Sequence, residues 1–63
     1  MKISINAEPG DKIANVYTDD WYSAWQIETS TYLCYTEHDD VVLQLIDGKI
    51  VFVSSIDVDV IPD

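Results

Sequence analysis

The stretch that decides the fold is VVLQLIDGKIVFV, residues 41 to 53. It joins the strongest turn signal in the chain, Asp47-Gly48, to the densest run of β-branched and aromatic residues. Asp-Gly accepts the positive φ angles that a two-residue hairpin turn requires, and the flanking residues suit a pleated strand. The stretch therefore predicts a β-hairpin with Asp47-Gly48 at its tip.

A two-residue loop would fix the register of this hairpin by pairing Leu45 with Ile50. One face would then carry the core residues, which are Val41, Leu43, Leu45, Ile50 and Phe52. The opposite face is too apolar to meet only water, so we expect it to be covered by another segment or by a second copy of the chain. The residues expected to mediate self-association through this second face are Val42, Ile46, Val51 and Val53.

The rest of the chain shows further alternation between apolar and polar residues. The predicted strands are 1–8, 13–17, 31–37, 41–46, 50–53 and 56–61, with a turn at 9–12 and acidic turns at 18–20 and 37–40. We expect strand 13–17 to return against the first strand, and 31–37 to lie antiparallel to 41–46. In the last strand the inward residues are Ile56, Val58 and Val60, and the outward ones are Asp57 and Asp59.

Residues 21–31 are open to two interpretations. Their aromatic and threonine-rich composition favours a strand, while an N-cap at Asp19 or Asp20 allows one short helical turn near 19–24. The aromatic side chains of this segment either fill a thin core or, exposed beside aspartates, form a binding hot spot. These side chains are Trp21, Tyr22 and Trp25.

The fold class that follows is mostly β, with a small antiparallel sheet or SH3-like barrel of five to six short strands. Residues 1–63 are expected to form a single small acidic β domain with a thin core. No apolar run approaches the roughly 20 residues of a membrane helix, and the N-terminus does not resemble a signal peptide. With a single cysteine, Cys34, which we expect in the core, these features predict a cytoplasmic protein.

Charge carries most of the functional information. Twelve Asp and Glu residues stand against three Lys and no Arg, and the formal net charge is −9. Phosphates would be repelled by this charge, which excludes direct nucleic-acid binding as a function. The charge serves either solubility alone or the attraction of a basic protein.

Catalytic and metal chemistry find little support in the sequence. His38 is the only imidazole, and one His with one Cys cannot supply the usual ligands of a zinc site. No segment has the spaced carboxylates, glycine and closing Glu of a calcium loop, and no glycine-rich phosphate loop is present. We therefore expect no enzymatic activity, no cofactor and no metal.

The function that the sequence favours is inhibition of a basic, nucleic-acid-binding protein by charge mimicry. Anti-CRISPR and anti-restriction proteins of phages and immunity proteins of nuclease toxins are analogous in size and charge. Carboxylates two residues apart on a strand lie about 6.6–6.8 Å from each other, close to the spacing of phosphates. The expected partner-binding residues are Asp19, Asp20, Trp21, Asp39, Asp40, Asp57 and Asp59. The alternative is a self-associating structural or adaptor module whose charge serves solubility only.

Overall fold

The computed structural model describes residues 1–8 and 10–63. Its elements are β1 (Lys2–Ile5), β2 (Lys12–Ala14), β3 (Trp21–Ser23), α1 (Ala24–Glu28), β4 (Thr31–Tyr35), β5 (Val41–Gln44), β6 (Ile50–Val53) and β7 (Val58–Ile61). The strands form three antiparallel sheets, β1–β7, β2–β3 and β4–β5–β6. The prediction of a mostly β fold of small antiparallel sheets is confirmed, and across the described residues these sheets do not close into a barrel. The turn predicted at 9–12 includes Pro9, which lies outside the described residues.

The central hairpin has a loop of three residues, 46–48, where the sequence predicts two. Leu45 donates its N–H to the Lys49 carbonyl at 2.8 Å, and the Gly48 N–H bonds the Leu45 carbonyl at 2.9 Å. Gly48 has φ 94°, as expected of the left-handed residue that follows a type I turn in a three-residue hairpin. The predicted register is therefore wrong by one residue, and Leu43 pairs with Val51.

This one-residue shift exchanges the two faces of β6. Val51 and Val53 are completely buried in the core, whereas Ile50 is exposed and Phe52 is half-buried on the outer face. The predicted core positions on the other side of the hairpin, Val41, Leu43 and Leu45, are buried as expected. The sequence of β6 could not select its inward face, because all four of its residues are apolar.

A second hairpin, between β4 and β5, has the same loop geometry. Asp39 donates its N–H to the Thr36 carbonyl at 3.0 Å, and the Thr36 N–H bonds the Asp40 carbonyl at 2.8 Å. Asp39, with φ 63°, therefore occupies the position that Gly48 occupies in the central hairpin. The predicted antiparallel neighbours 31–37 and 41–46 are confirmed. The register shifts between Tyr32 and Cys34, and exposed Cys34 pairs with Val42 on the outer face rather than entering the core.

Strand β1 pairs with the last strand, β7, and not with the segment 13–17 that the sequence suggests. In this pairing Ile3 lies opposite Val60, and Ile5 lies opposite Val58. Strand β2 instead pairs with β3, and Asn15 just after it bridges to Val53. The buried core is shared by all seven strands and the helix, and consists of Ile3, Ile13, Tyr22, Ile27, Val41, Leu43, Leu45, Val51, Val53 and Val58, with Tyr32 of β4 packed against it.

The segment 21–31 contains both structures that the sequence allowed. The strand ends at Ser23, which caps α1: its hydroxyl accepts the Gln26 N–H at 3.2 Å, and the Gln26 side chain accepts the Ser23 N–H at 2.9 Å. The helix begins at Ala24, later than the predicted turn near 19–24, and inserts Ile27 into the core. Tyr22 is buried, but Trp21 and Trp25 are not core residues. No helix in residues 1–8 and 10–63 has the length and apolar character needed to cross a bilayer.

Candidate interaction surface

Loop 16–20, between β2 and β3, is held in shape by its own hydrogen bonds. The buried Asn15 closes the loop with its N–H on the Asp20 carbonyl at 2.9 Å, and its side-chain oxygen accepts the Tyr17 N–H at 2.9 Å. The Thr18 hydroxyl accepts the Asp20 N–H at 3.1 Å and donates to the Asp20 carboxylate at 3.0 Å. Because these bonds hold the backbone on both sides of Tyr17, they fix the position of Tyr17 itself.

Tyr17 connects this loop to the outer face of the sheet β4–β5–β6. Its ring meets the Phe52 ring edge-on with centroids 5.3 Å apart, and its hydroxyl donates a 2.7 Å hydrogen bond to the Asp40 carboxylate. The Val16 N–H also bonds the Phe52 carbonyl at 2.8 Å. The outer face of the central hairpin is therefore covered at Phe52 by another segment of the same chain.

The Tyr17–Asp40 hydrogen bond brings together loop 16–20 and turn 36–40, which we name the acidic loop pair. Its carboxylates are those of Asp19, Asp20, Glu37, Asp39 and Asp40. Four of these five belong to the predicted partner-binding residues, so the structure places two predicted acidic turns side by side. The hydrogen bond to Asp40 raises the pKa of Tyr17 above its usual value, and partial burial and the charges of Asp40 and Glu37 act in the same direction.

The negative charge of the acidic loop pair is not neutralised by lysine. In residues 1–8 and 10–63 the ion pairs within 4 Å are that of the Met1 amino group with Asp63, at 3.1 Å, and that of His38 with Glu37, at 3.5 Å. The second is an ion pair only when His38 is protonated. The carboxylates of Asp19, Asp20 and Asp39 are exposed, so they can meet an external cation.

Asp59 lies on the β1–β7 sheet and Asp57 lies just before it, so the two do not share a strand. Asp57 is in the turn before β7, where its carbonyl accepts the Asn6 N–H at 2.8 Å. Asp59 is in β7, and its carboxylate accepts the Asn6 side-chain N–H at 3.0 Å. Ile56, predicted to point inward, is 82% exposed because it belongs to the same turn. The strand spacing expected for the two carboxylates therefore does not apply to them.

Trp21 is 62% exposed and follows Asp20 directly, which is the arrangement of an aromatic side chain beside acidic residues that the sequence allowed.

The four residues predicted to form a self-association face, in contrast, do not form one exposed surface. Val51 and Val53 are fully buried in the core and Val42 is 7% exposed, so only Ile46, in the loop of the central hairpin, is open to solvent. The one-residue shift in register places Val51 and Val53 in the core, whereas Val42 stays on the outer face opposite Phe52.

The site contains three residues that the sequence reasoning missed, namely Tyr17, Thr36 and Glu37. Thr36 accepts the N–H groups of His38 and Asp40 on its hydroxyl, at 3.2 and 3.1 Å, and so shapes the second acidic turn. A local signal for this was present, because Thr side chains often bond backbone N–H groups in turns. No local signal indicated the role of Tyr17, because Asp40 is distant in sequence.

The chain was compared with protein-family models, with curated proteins and with solved structures, and none of them matches it. The described residues contain no group of three or more His, Cys, Asp or Glu side chains arranged to hold a metal ion.

Proposed function

We propose that this protein binds a basic surface of a nucleic-acid-binding protein and competes with the nucleic acid for that surface. The observation that carries the proposal is the acidic loop pair: the Tyr17–Asp40 hydrogen bond joins two turns that carry five carboxylates, and none of these carboxylates has a lysine within 4 Å in residues 1–8 and 10–63. Carboxylates in preformed turns lose little conformational entropy on binding, which favours their use as contact groups.

The overall charge supports the same partner chemistry. A net charge of −9 on 63 residues steers a basic partner toward the protein and repels nucleic acid. A lysine- or arginine-rich groove that binds phosphates is a surface complementary to this field. Inhibition would then require no catalytic activity, because a protein bound in the groove excludes the nucleic acid.

The dimensions of the protein are sufficient for such a contact. Its accessible surface is 4162 Å², and a standard interface uses about 800 Å² on each partner. About a fifth of the surface is therefore enough, and the acidic loop pair with the exposed rings of Tyr17 and Trp21 provides charge and aromatic area within one region of the chain. The proposal includes a cytoplasmic location, where such partners act.

Competition for a shared partner tests the proposal. Proteins captured on the immobilised chain from a nuclease-treated lysate are eluted by salt, and each is then bound to its labelled nucleic acid. Titration with the free protein should release that nucleic acid. Two double variants test the loops, Asp19→Asn with Asp20→Asn and Asp39→Asn with Asp40→Asn. Both should slow association, most strongly at low salt. The loss of binding free energy should reach about 2–5 kcal/mol where a partner cation is left buried and unpaired.

Two matched variants complete this experiment. Glu8→Gln with Glu28→Gln removes the same charge away from the acidic loop pair and from the other aspartate-rich segments, and should have a smaller effect than either loop variant. Asp57→Asn with Asp59→Asn tests whether the second acidic region contributes. If the partner binds this protein and its nucleic acid simultaneously, mimicry is wrong, and a binding module that acts as an adaptor is the function to test next.

A further inference from the structure

We propose a second binding site, a cleft between α1 and the loop of the central hairpin that accepts an arginine side chain of a protein or peptide ligand. The cleft is lined by Trp25, Gln26, Thr29, Leu45, Ile46 and Asp47. Turn 36–40 precedes β5 and loop 46–48 follows it, so the cleft is at the opposite end of β5 from the acidic loop pair. The inference therefore does not depend on the proposed function.

The size of the cleft indicates one side chain as its occupant. Its volume is about 130 Å³. Pockets for small-molecule ligands measure about 300–1,000 Å³, so this cleft is smaller than a usual small-molecule site and matches the volume of one long side chain. Leu45 is almost completely buried, whereas Trp25 and Ile46 are 63% and 69% exposed. The aliphatic part of a long ligand side chain, its apolar stem, can therefore lie against these three side chains.

The polar groups of the cleft select a cation at the end of that stem. The Thr29 hydroxyl donates to the Trp25 carbonyl at 2.7 Å, and the Gln26 side-chain oxygen accepts the Ser23 N–H, so these two oxygens are engaged by the helix itself. The carboxylate of Asp47 uses one oxygen to accept the Lys49 N–H at 2.9 Å. Its other oxygen has no hydrogen-bond partner in the described part of the chain, and the carboxylate is exposed.

The nearest lysine in the sequence does not neutralise this carboxylate. The ammonium of Lys49 lies 5.5 Å from the centre of the Tyr22 ring, and no cation within the described residues comes within 4 Å of Asp47. A guanidinium group matches the remaining chemistry better than an ammonium, because it stacks on an indole ring and pairs with a carboxylate in one plane. Trp25 and Asp47 provide these two partners at one cleft.

Nuclear magnetic resonance of the two indole N–H groups tests the inference. The probes are N-acetyl amides of arginine, lysine and norleucine, titrated to high millimolar concentration at constant ionic strength. The arginine probe should shift the Trp25 signal in a saturable way. The Trp21 signal, beside the acidic loop pair, reports separately any binding of the cationic probes to those carboxylates. The lysine probe should bind more weakly, and norleucine, which lacks charge, should bind least.

The variant Asp47→Asn keeps a side-chain oxygen for the Lys49 N–H and removes the charge. It should weaken arginine binding by up to about fivefold, the range of an exposed ion pair, and leave norleucine unaffected. Equal binding of norleucine and arginine would show an apolar cleft only and overturn the proposal. A Trp25 shift that Asp47→Asn leaves unchanged, or no saturable shift of Trp25, would also overturn it.

Discussion

Asp39 and Gly48 occupy equivalent positions in two hairpin loops of the same design. Each is the last residue of a three-residue loop, and their φ angles are 63° and 94°. Glycine adopts this left-handed conformation at no steric cost, whereas other residues are strained in it by roughly 1–2 kcal/mol, and aspartate by less. The acidic turn therefore retains a carboxylate at a position where glycine would be more stable.

Replacement of Asp39 by Gly should raise the free energy of unfolding by up to about 0.5 kcal/mol, since the relief of strain exceeds the added entropy of the unfolded chain. The reciprocal change, Gly48→Asp, should lower it by about 1 kcal/mol through backbone strain alone, because no heavy atom lies within 4 Å of a Cβ placed there. Urea unfolding of both variants measures these effects. A destabilised Asp39→Gly variant would contradict the equivalence of the two loops.

Threonine substitutions at neighbouring positions of β6 test the register. Val51→Thr should lower the free energy of unfolding by about 1–3 kcal/mol, because it buries a hydroxyl without a partner. Ile50→Thr, at a 43% exposed position, should change it by no more than about 0.5 kcal/mol. Both variants keep a β-branched side chain, so strand propensity is matched. If the loop had two residues, Ile50 would face the core and Val51 would face outward. Ile50→Thr would then be the more destabilising variant.

Removal of the Asn15 side chain tests what positions Tyr17. Asn15→Ala should cost about 1 kcal/mol and speed exchange of the Tyr17 amide hydrogen, because that N–H loses its acceptor. The control is Asn6→Ala, which removes an exposed asparagine that bonds Asp59 and should leave Tyr17 exchange unchanged. Unchanged exchange in the Asn15 variant would mean that the rest of the loop holds Tyr17 in place.

The hydrogen bond between Tyr17 and Asp40 should be visible in a pH titration. The folded pKa of Tyr17 lies above its ordinary value of 10.0, chiefly because of this bond. Its contribution to stability is therefore complete below pH 10 and disappears as the pH rises through the folded pKa. The difference in phenolate absorbance between the wild type and Tyr17→Phe reports the titration of Tyr17 alone. This separation is needed because burial also raises the pKa of Tyr32. Asp40→Asn should move the Tyr17 pKa back toward 10, and a wild-type value at or below 10 would contradict the bond.

The sequence predicts the local features of this fold because they depend on residues close to one another. The β class, the turns at Asp47-Gly48 and at 37–40, and the pairing of 31–37 with 41–46 all follow from such signals. The loop length was not predictable, since Gly48 is compatible with both hairpin types and both faces of β6 are apolar.

The candidate site was predictable in its charges but not in its arrangement. Aspartates in turns are visible in the sequence, yet only the tertiary contact of Tyr17 with Asp40 brings two of those turns together. Pairing of β1 with β7 likewise depends on the whole chain, and it puts Asp59 on a strand and Asp57 in the turn before that strand.

The pairing of β1 with β7 also has a consequence for the kinetics of folding. The hairpins β2–β3, β4–β5 and β5–β6 close over short loops, whereas β1 and β7 come together only by closing most of the chain, and the entropy cost of closure grows with loop length. We therefore expect the hairpins to form early and the β1–β7 sheet to form in the slow step. Until that step Ile3 and Val58, both core residues, leave apolar surface open to other molecules. The period in which a newly made chain can aggregate thus ends when β7 docks.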